Sequence, residues 1–151
     1  MIIGQYKSKL TDKNRLAVPK KIRDEFGTEM IVARWYEKCL VLVSKVYWES
    51  FVKRIRGRSG LVIEPVRDIE RFIYGSAYDV VLDNQGRFIL PEILMSYSNI
   101  YSEVVFVGLG DRSEIWDIAE WEKFEKDIED KANKAIEVIA KSEVIGKDKS
   151  G

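Results

Sequence analysis

The chain has 151 residues, 46% hydrophobic and 33% charged, and its 25 basic residues balance 25 acidic ones. That length and apolar content predict a globular protein, one ordinary domain or two small ones sharing a core, and exclude a disordered chain. With no histidine and one cysteine, Cys39, an internal disulfide is excluded, a reducing compartment fits, and little remains for a zinc site or a general acid–base pair.

From the N-terminus, Tyr6, Ser8 and Leu10 alternate with Lys7 and Lys9, which predicts a half-exposed strand. Residues 11–14 form a polar turn and 15–18 a second strand. Pro19 is placed at the first position of a helix, where its missing N–H would be unsatisfied anyway. Ile22 and Phe26 give that helix an apolar stripe, and Gly27 ends it. Residues 30–34 and 40–43 read as strands joined by a loop through 35–39. Ser44 caps a helix carrying Val46, Phe51, Val52 and Ile55. The run Arg56-Gly57-Arg58-Ser59-Gly60 is expected as a linker, followed by a bridging helix over 66–74 with Val66, Ile69, Phe72 and Ile73 on one face.

Residues 80–82, the turn Asp83-Asn84-Gln85-Gly86, the strand 87–90 and Pro91 restate the opening pattern. Strands at 104–107 and 113–116 flank a predicted turn, Gly108-Leu109-Gly110-Asp111. Asp117 and Glu120 form a capping box before a helix containing Trp121 and Phe124. A long helical stretch with Ile128, Ala132, Ala135, Ile136 and Ile139 follows, expected to fray from Gly146. No apolar run reaches the roughly 18 to 20 residues that span a bilayer, and the opening segment lacks the basic-then-apolar order of a signal peptide.

The most informative feature is internal similarity. Asn14-Arg15-Leu16-Ala17-Val18-Pro19 aligns with Gly86-Arg87-Phe88-Ile89-Leu90-Pro91 at an offset of 72, from 15 to 87. Val41-Leu42-Val43-Ser44 aligns with Glu114-Ile115-Trp116-Asp117, and Trp48-Glu49-Ser50-Phe51 with Trp121-Glu122-Lys123-Phe124, at an offset of 73, from 48 to 121. An ordered series at nearly constant offset marks a duplication. Short strands with one apolar face are marginal alone, but two such units can interlock into a closed barrel that hides its sheet edges. The expected fold is therefore α+β, a pseudo-two-fold β-barrel with flanking helices and a C-terminal helix. Its parts are a first repeat over 1–58, a linker and bridging helix over 59–75, a second repeat over 76–125, and a helical tail over 126–151 with a disordered end.

The zero net charge conceals a split. Through Arg58 there are 14 basic and six acidic residues, whereas 59–125 holds five basic and 13 acidic ones. A basic first half suits an anionic partner; the two halves could equally neutralise each other across an interface. Carboxylate-only hydrolysis would be compatible with the composition, but no pattern calls for it. Catalytic residues, metals, cofactors and small-molecule substrates are expected to be absent.

The segments Lys9-Leu10-Thr11-Asp12-Lys13-Asn14-Arg15-Leu16-Ala17-Val18-Pro19-Lys20-Lys21 and Leu82-Asp83-Asn84-Gln85-Gly86-Arg87-Phe88-Ile89-Leu90-Pro91 resemble the MraZ family. So does Glu114-Ile115-Trp116-Asp117 followed by Trp121. That family falls in the AbrB-like, swapped-hairpin class of DNA-binding folds, and the resemblance covers roughly residues 1–125. It implies two AbrB-like repeats and a sequence-specific transcriptional regulator, cytoplasmic and nucleoid-associated. It further implies a homo-oligomeric ring acting on repeated operator motifs of the division and cell-wall gene cluster. The family's Asp-x-x-x-Arg is present as Asp83 and Arg87; in the first copy Thr11 replaces the aspartate, and Asn14 stands where glycine is common.

Double-stranded DNA is thus the expected partner. Arg15, at the start of a strand beside a polar turn, is assigned to a base edge, where bidentate pairing with guanine is worth about 1 to 3 kcal/mol. Lys7, Lys9, Lys13, Lys20, Lys21 and Arg23 are assigned to phosphates, and Asn14 and Arg87 complete the DNA-binding set. Asp83 would orient Arg87 through a charge-assisted bond; a plain surface ion pair is the alternative. Trp35, Tyr36, Trp48, Trp116 and Trp121 are weighed as stacking platforms for unpaired bases, and of these Trp48 and Trp121 are read as core instead. Trp35 and Tyr36 are placed at a subunit contact. The competing function is an AbrB-like antitoxin or interaction module that binds a protein partner through its helices, suggested by the amphipathic tail.

Overall fold

The computed structural model describes residues 1–57 and 63–150, with side chains through Glu143. The first copy consists of β1 (Ile2–Thr11), β2 (Arg15–Ala17), α1 (Lys20–Phe26), β3 (Met30–Arg34), β4 (Leu40–Ser44) and α2 (Lys45–Gly57). After α3 (Glu64–Ile73) the order recurs: β5 (Tyr78–Val80), β6 (Arg87–Ile89), α4 (Glu92–Ser98), β7 (Glu103–Gly110), β8 (Ser113–Asp117) and α5 (Ile118–Ser150). Met1–Ile118 forms one compact unit and Ala119–Gly151 a second, in which α5 runs to Ser150.

The eight strands lie in the order β5-β3-β4-β8-β7-β1-β2-β6, all antiparallel. Read as a ring in which β5 adjoins β6, exchanging the copies gives the same cyclic order run in the opposite sense. Each copy's first strand reaches across to pair with the third strand of the twin, β1 with β7 and β5 with β3. Tyr6 and Tyr78, at equivalent positions, face Phe106 and Val32 in this way. Equivalent residues meet at the pseudo-dyad, Leu16 opposite Phe88 and Val41 opposite Glu114. The barrel is nearly closed: β5 and β6 are its two ends, and the Asp83 N–H donates to the Arg87 carbonyl between them at 2.8 Å.

Strand alternation sends Leu16, Leu40, Leu42, Phe88, Phe106 and Ile115 into the barrel, where they are buried. The other face of β3, β4, β7 and β8 is buried as well, through Ile31, Ala33, Val41, Val43, Val105 and Trp116. On this side α2 and α3 touch β3, and Trp35, Trp48, Phe51 and Tyr74 pack ring against ring with centroids 5.5–6.5 Å apart. The central strands are therefore apolar on both faces, which is why residues 30–34 and 40–43 read as continuous apolar runs. Trp116 and Trp121 are also buried, so neither is a stacking platform for bases.

Several boundaries differ from the sequence expectation. Pro19 precedes α1, and its carbonyl accepts the N–H groups of Ile22 and Arg23. Arg56 and Gly57 belong to α2, not to a linker, while residues 58–60 lie outside the described residues. β7 continues through Gly110, so the reversal falls at Asp111 and Arg112, where the Leu109 N–H donates to the Arg112 carbonyl at 2.9 Å. A Cβ on Gly108 would lie 2.5 Å from Ile2 Cγ2, so this glycine permits close strand packing and does not make a turn. Trp35 is buried against Phe51 and accepts the Tyr97 hydroxyl on its carbonyl at 2.5 Å; it is core and not a subunit contact. Tyr36 is exposed. α5 is helical through Ser150, past Gly146. Among the described residues no helix is long and apolar enough to cross a membrane.

Glu114 is an unexpected member of the outer apolar layer. Burial pushes its carboxyl above the usual range, opposed by the Trp116 indole N–H, which donates to it at 3.0 Å, and by Arg112. A folded-state pKa raised above the unfolded one favours the protonated form, so its contribution to stability falls as pH rises through that interval. Glu114→Gln keeps an acceptor for Trp116 and removes the charge. The variant is expected to melt higher than the parent at pH 7 and level with it below the glutamate range, in paired thermal scans. Equal melting at pH 7 would contradict this.

Candidate nucleic-acid interface

The ribbon β2–β6 places Arg15 opposite Ile89, Leu16 opposite Phe88 and Ala17 opposite Arg87. Leu16 and Phe88 enter the core, so alternation turns Arg15, Ala17, Arg87 and Ile89 outward together. The neighbouring strand pairs Thr11 with Arg15, which extends the same outer face along β1 to Lys9 and Lys7, both exposed. Arg15 and Arg87 line one concavity of about 400 Å³ with Val81, Asp83, Gln85 and Ile89.

The two turns entering this ribbon are built differently. In the second, one Asp83 oxygen accepts the N–H groups of Gln85 and Arg87 at 2.9 Å, and the other accepts Arg87 Nε–H at 3.0 Å. These donors hold the Asp83 carboxyl below the usual range, the Arg87 backbone N–H contributing most. Asp83 and Arg87, four apart, thus share an ion pair as well as a backbone bond. In the first turn, the Thr11 hydroxyl donates to the Arg15 carbonyl at 3.1 Å. The loss of the acid leaves Arg15, among the described residues, without an ion pair. The turn itself survives: Asn14 is left-handed at φ 59°, as its equivalent Gly86 is at 75°. Matched bonds join the copies, Val18 N–H to the Gly86 carbonyl at 2.9 Å and Leu90 N–H to the Asn14 carbonyl at 2.8 Å.

Arg23 does not stand free for phosphate. Its Nε–H donates to the Val18 carbonyl at 3.0 Å, and its guanidinium lies over Gly86, where a Cβ would approach Cζ to 2.6 Å. It braces α1 against the twin's turn. Lys13 is exposed at the tip of the first turn. Lys20 and Lys21 are exposed in the first turn of α1, Lys20 within 3.0 Å of Asp24. Cations there oppose the helix dipole; the Asp24 pair offsets this for Lys20, while Lys21 has no ion pair among the described residues.

The charge split maps onto the pseudo-dyad. Lys7, Lys9, Lys20 and Lys21 correspond at offset 72 to Asp79, Val81, Glu92 and Ile93, giving one cationic flank and one acidic, apolar flank. Sequence reasoning assigned no role to Val81 or Ile89, exposed on the arginine face. The alternation of Ile89 with Phe88 and Leu90 was the signal that could have found it.

The family model described as "MraZ protein, putative antitoxin-like" matches residues 1–60 and 73–140. The chain is 32% identical over 124 residues to a protein named transcriptional regulator MraZ from Clostridium tetani, covering 82% of this chain and 87% of that one. It is 34% identical over 126 residues to one of the same name from Cutibacterium acnes, with coverages of 82% and 87%. A third, from Syntrophomonas wolfei, is 31% identical over 142 residues, with coverages of 94% and 96%. These names describe a regulator of transcription and not an enzyme.

Proposed function

Because the chain belongs to the MraZ family, we propose that it is a transcriptional regulator that reads double-stranded DNA with the outer face of β2–β6. The observation that carries this is the joint presentation of Arg15 and Arg87 on one outward concavity, flanked by Lys7, Lys9 and Lys13. A two-stranded ribbon fits the major groove, where an arginine can pair with guanine O6 and N7. Lys7, Lys9, Lys13, Lys20 and Lys21 supply phosphate contacts that set position and affinity. The regulator acts as a homo-oligomeric ring at the nucleoid, on repeated motifs in the division and cell-wall gene cluster. Linking many reading heads raises affinity for repeats without any new contact.

Anisotropy titration on the chain's own upstream duplex against a scrambled duplex tests this. Tighter binding to the upstream duplex is expected, weakening with salt at a log–log slope of about −4 to −5 for five phosphates neutralised by one subunit. No preference between the duplexes would dismiss sequence-specific regulation. Ile136, Val138 and Ile139, exposed on α5, favour the second reading, a protein partner bound through the helices. Stoichiometric capture of such a partner, with function unchanged in Arg15→Ala, would support that reading instead.

A further inference from the structure

Ile89 is 64% exposed although both its neighbours, Phe88 and Leu90, are buried. Single exposed aliphatic residues are ordinary, but the position of this one is particular. It is the register partner of Arg15 and lies two residues from Arg87, on the same face. Directly opposed side chains have Cβ atoms about 4.5–5.5 Å apart, close to the rise of one to two base pairs. Val81, 79% exposed, lines the same concavity. An apolar pair thus stands beside the arginine that carries no ion pair.

Thymine is the only base that offers a methyl group to the major groove, and guanine is the one an arginine reads bidentately. We propose that Ile89 is a specificity-determining residue that packs on the C5-methyl of a thymine neighbouring the base read by Arg15. This rests on the duplex-reading function proposed above. The pseudo-dyad adds a polarity: the equivalent of Ile89 is Ala17, which lies opposite Arg87, and the equivalent of Val81 is Lys9. Arg15 has a branched aliphatic partner, whereas Arg87 has only a methyl. The two ends of the reading head therefore demand different bases, and the preferred element is read in one orientation.

The test replaces each thymine of the upstream duplex, one at a time, by deoxyuridine, which lacks only the methyl, and measures anisotropy with the full chain. The parent protein is expected to lose about fourfold in affinity at one or two of these positions, the equivalent of one buried methyl. Ile89→Ala should bind the thymine duplex about as weakly as the parent binds the deoxyuridine one, and no longer distinguish them. Ile89→Val should retain part of the preference. A parent protein that prefers its upstream DNA yet binds every deoxyuridine duplex equally would overturn the role of Ile89 alone, as would an Ile89→Ala variant that still favours thymine. A parent with no preference for upstream over scrambled DNA would overturn the regulatory function and this inference together.

Discussion

Arg15→Ala is expected to weaken binding to the upstream duplex by about 10- to 100-fold, and Arg87→Ala by several-fold less. Both guanidinium groups face the same concavity, but their surroundings differ. Arg87 has its Nε engaged by Asp83, and in the proposed complex that carboxylate would accompany it to the groove and repel phosphate there. Asp79 and Glu92 lie on the same flank of the pseudo-dyad. Arg15 has Lys7, Lys9 and Lys13 on its side and, among the described residues, no acid paired with it. Parallel titrations of the two variants decide the matter, with melting temperature as the control for folding. Equal losses would sink the asymmetric reading head. A loss of the same size on the scrambled duplex as on the upstream one would show that Arg15 serves phosphate only.

Gly108→Val is expected to cost the fold about 3 kcal/mol, the upper part of the range for overpacked cores. Gly108 faces Gly4 across the β1–β7 ladder, and a Cβ there would meet Ile2 Cγ2 at 2.5 Å and the Ile2 carbonyl oxygen at 2.9 Å. The obstacle is backbone, so rotamer changes cannot relieve it. Ile2 is fully buried and β1 is registered against β7 from Ile2 to Lys9, which leaves the strand little room to withdraw. Urea unfolding should show a lower midpoint at an unchanged slope. An unaltered midpoint would mean that the two strands separate easily.

These two sites show which features are legible in a sequence. Arg15 and its ribbon were visible because alternation and the duplicated turn are local signals, repeated once, and the two copies had to pair somewhere. Asp83 and Arg87 were visible because a turn fixes what residues four apart can do. Gly108 was misread because Gly-Leu-Gly is a turn signal within its own segment, while the demand for a missing side chain comes from Ile2 at the far end of the unit. Trp35 was misplaced for the same reason: Phe51 and Tyr97 cover it, and neither is near it in the chain. Arg23 looked like one more surface cation, because the Val18 carbonyl and the Gly86 turn it braces belong to different copies. Charge totals gave the sign of each half, but only the register showed that the difference falls across a single outward face.

Joining the copies in one polypeptide lets a position that confronts its own counterpart hold unlike residues. Leu16 against Phe88 fills the space over the dyad with one large and one smaller side chain, and Val41 against Glu114 sets a single carboxyl there. Severed halves would lose this bargain. Two first halves would set leucine on leucine and leave a void; two second halves would crowd phenylalanine on phenylalanine and bring two half-buried acids together. Each half is therefore expected to fit the other better than it would fit a copy of itself.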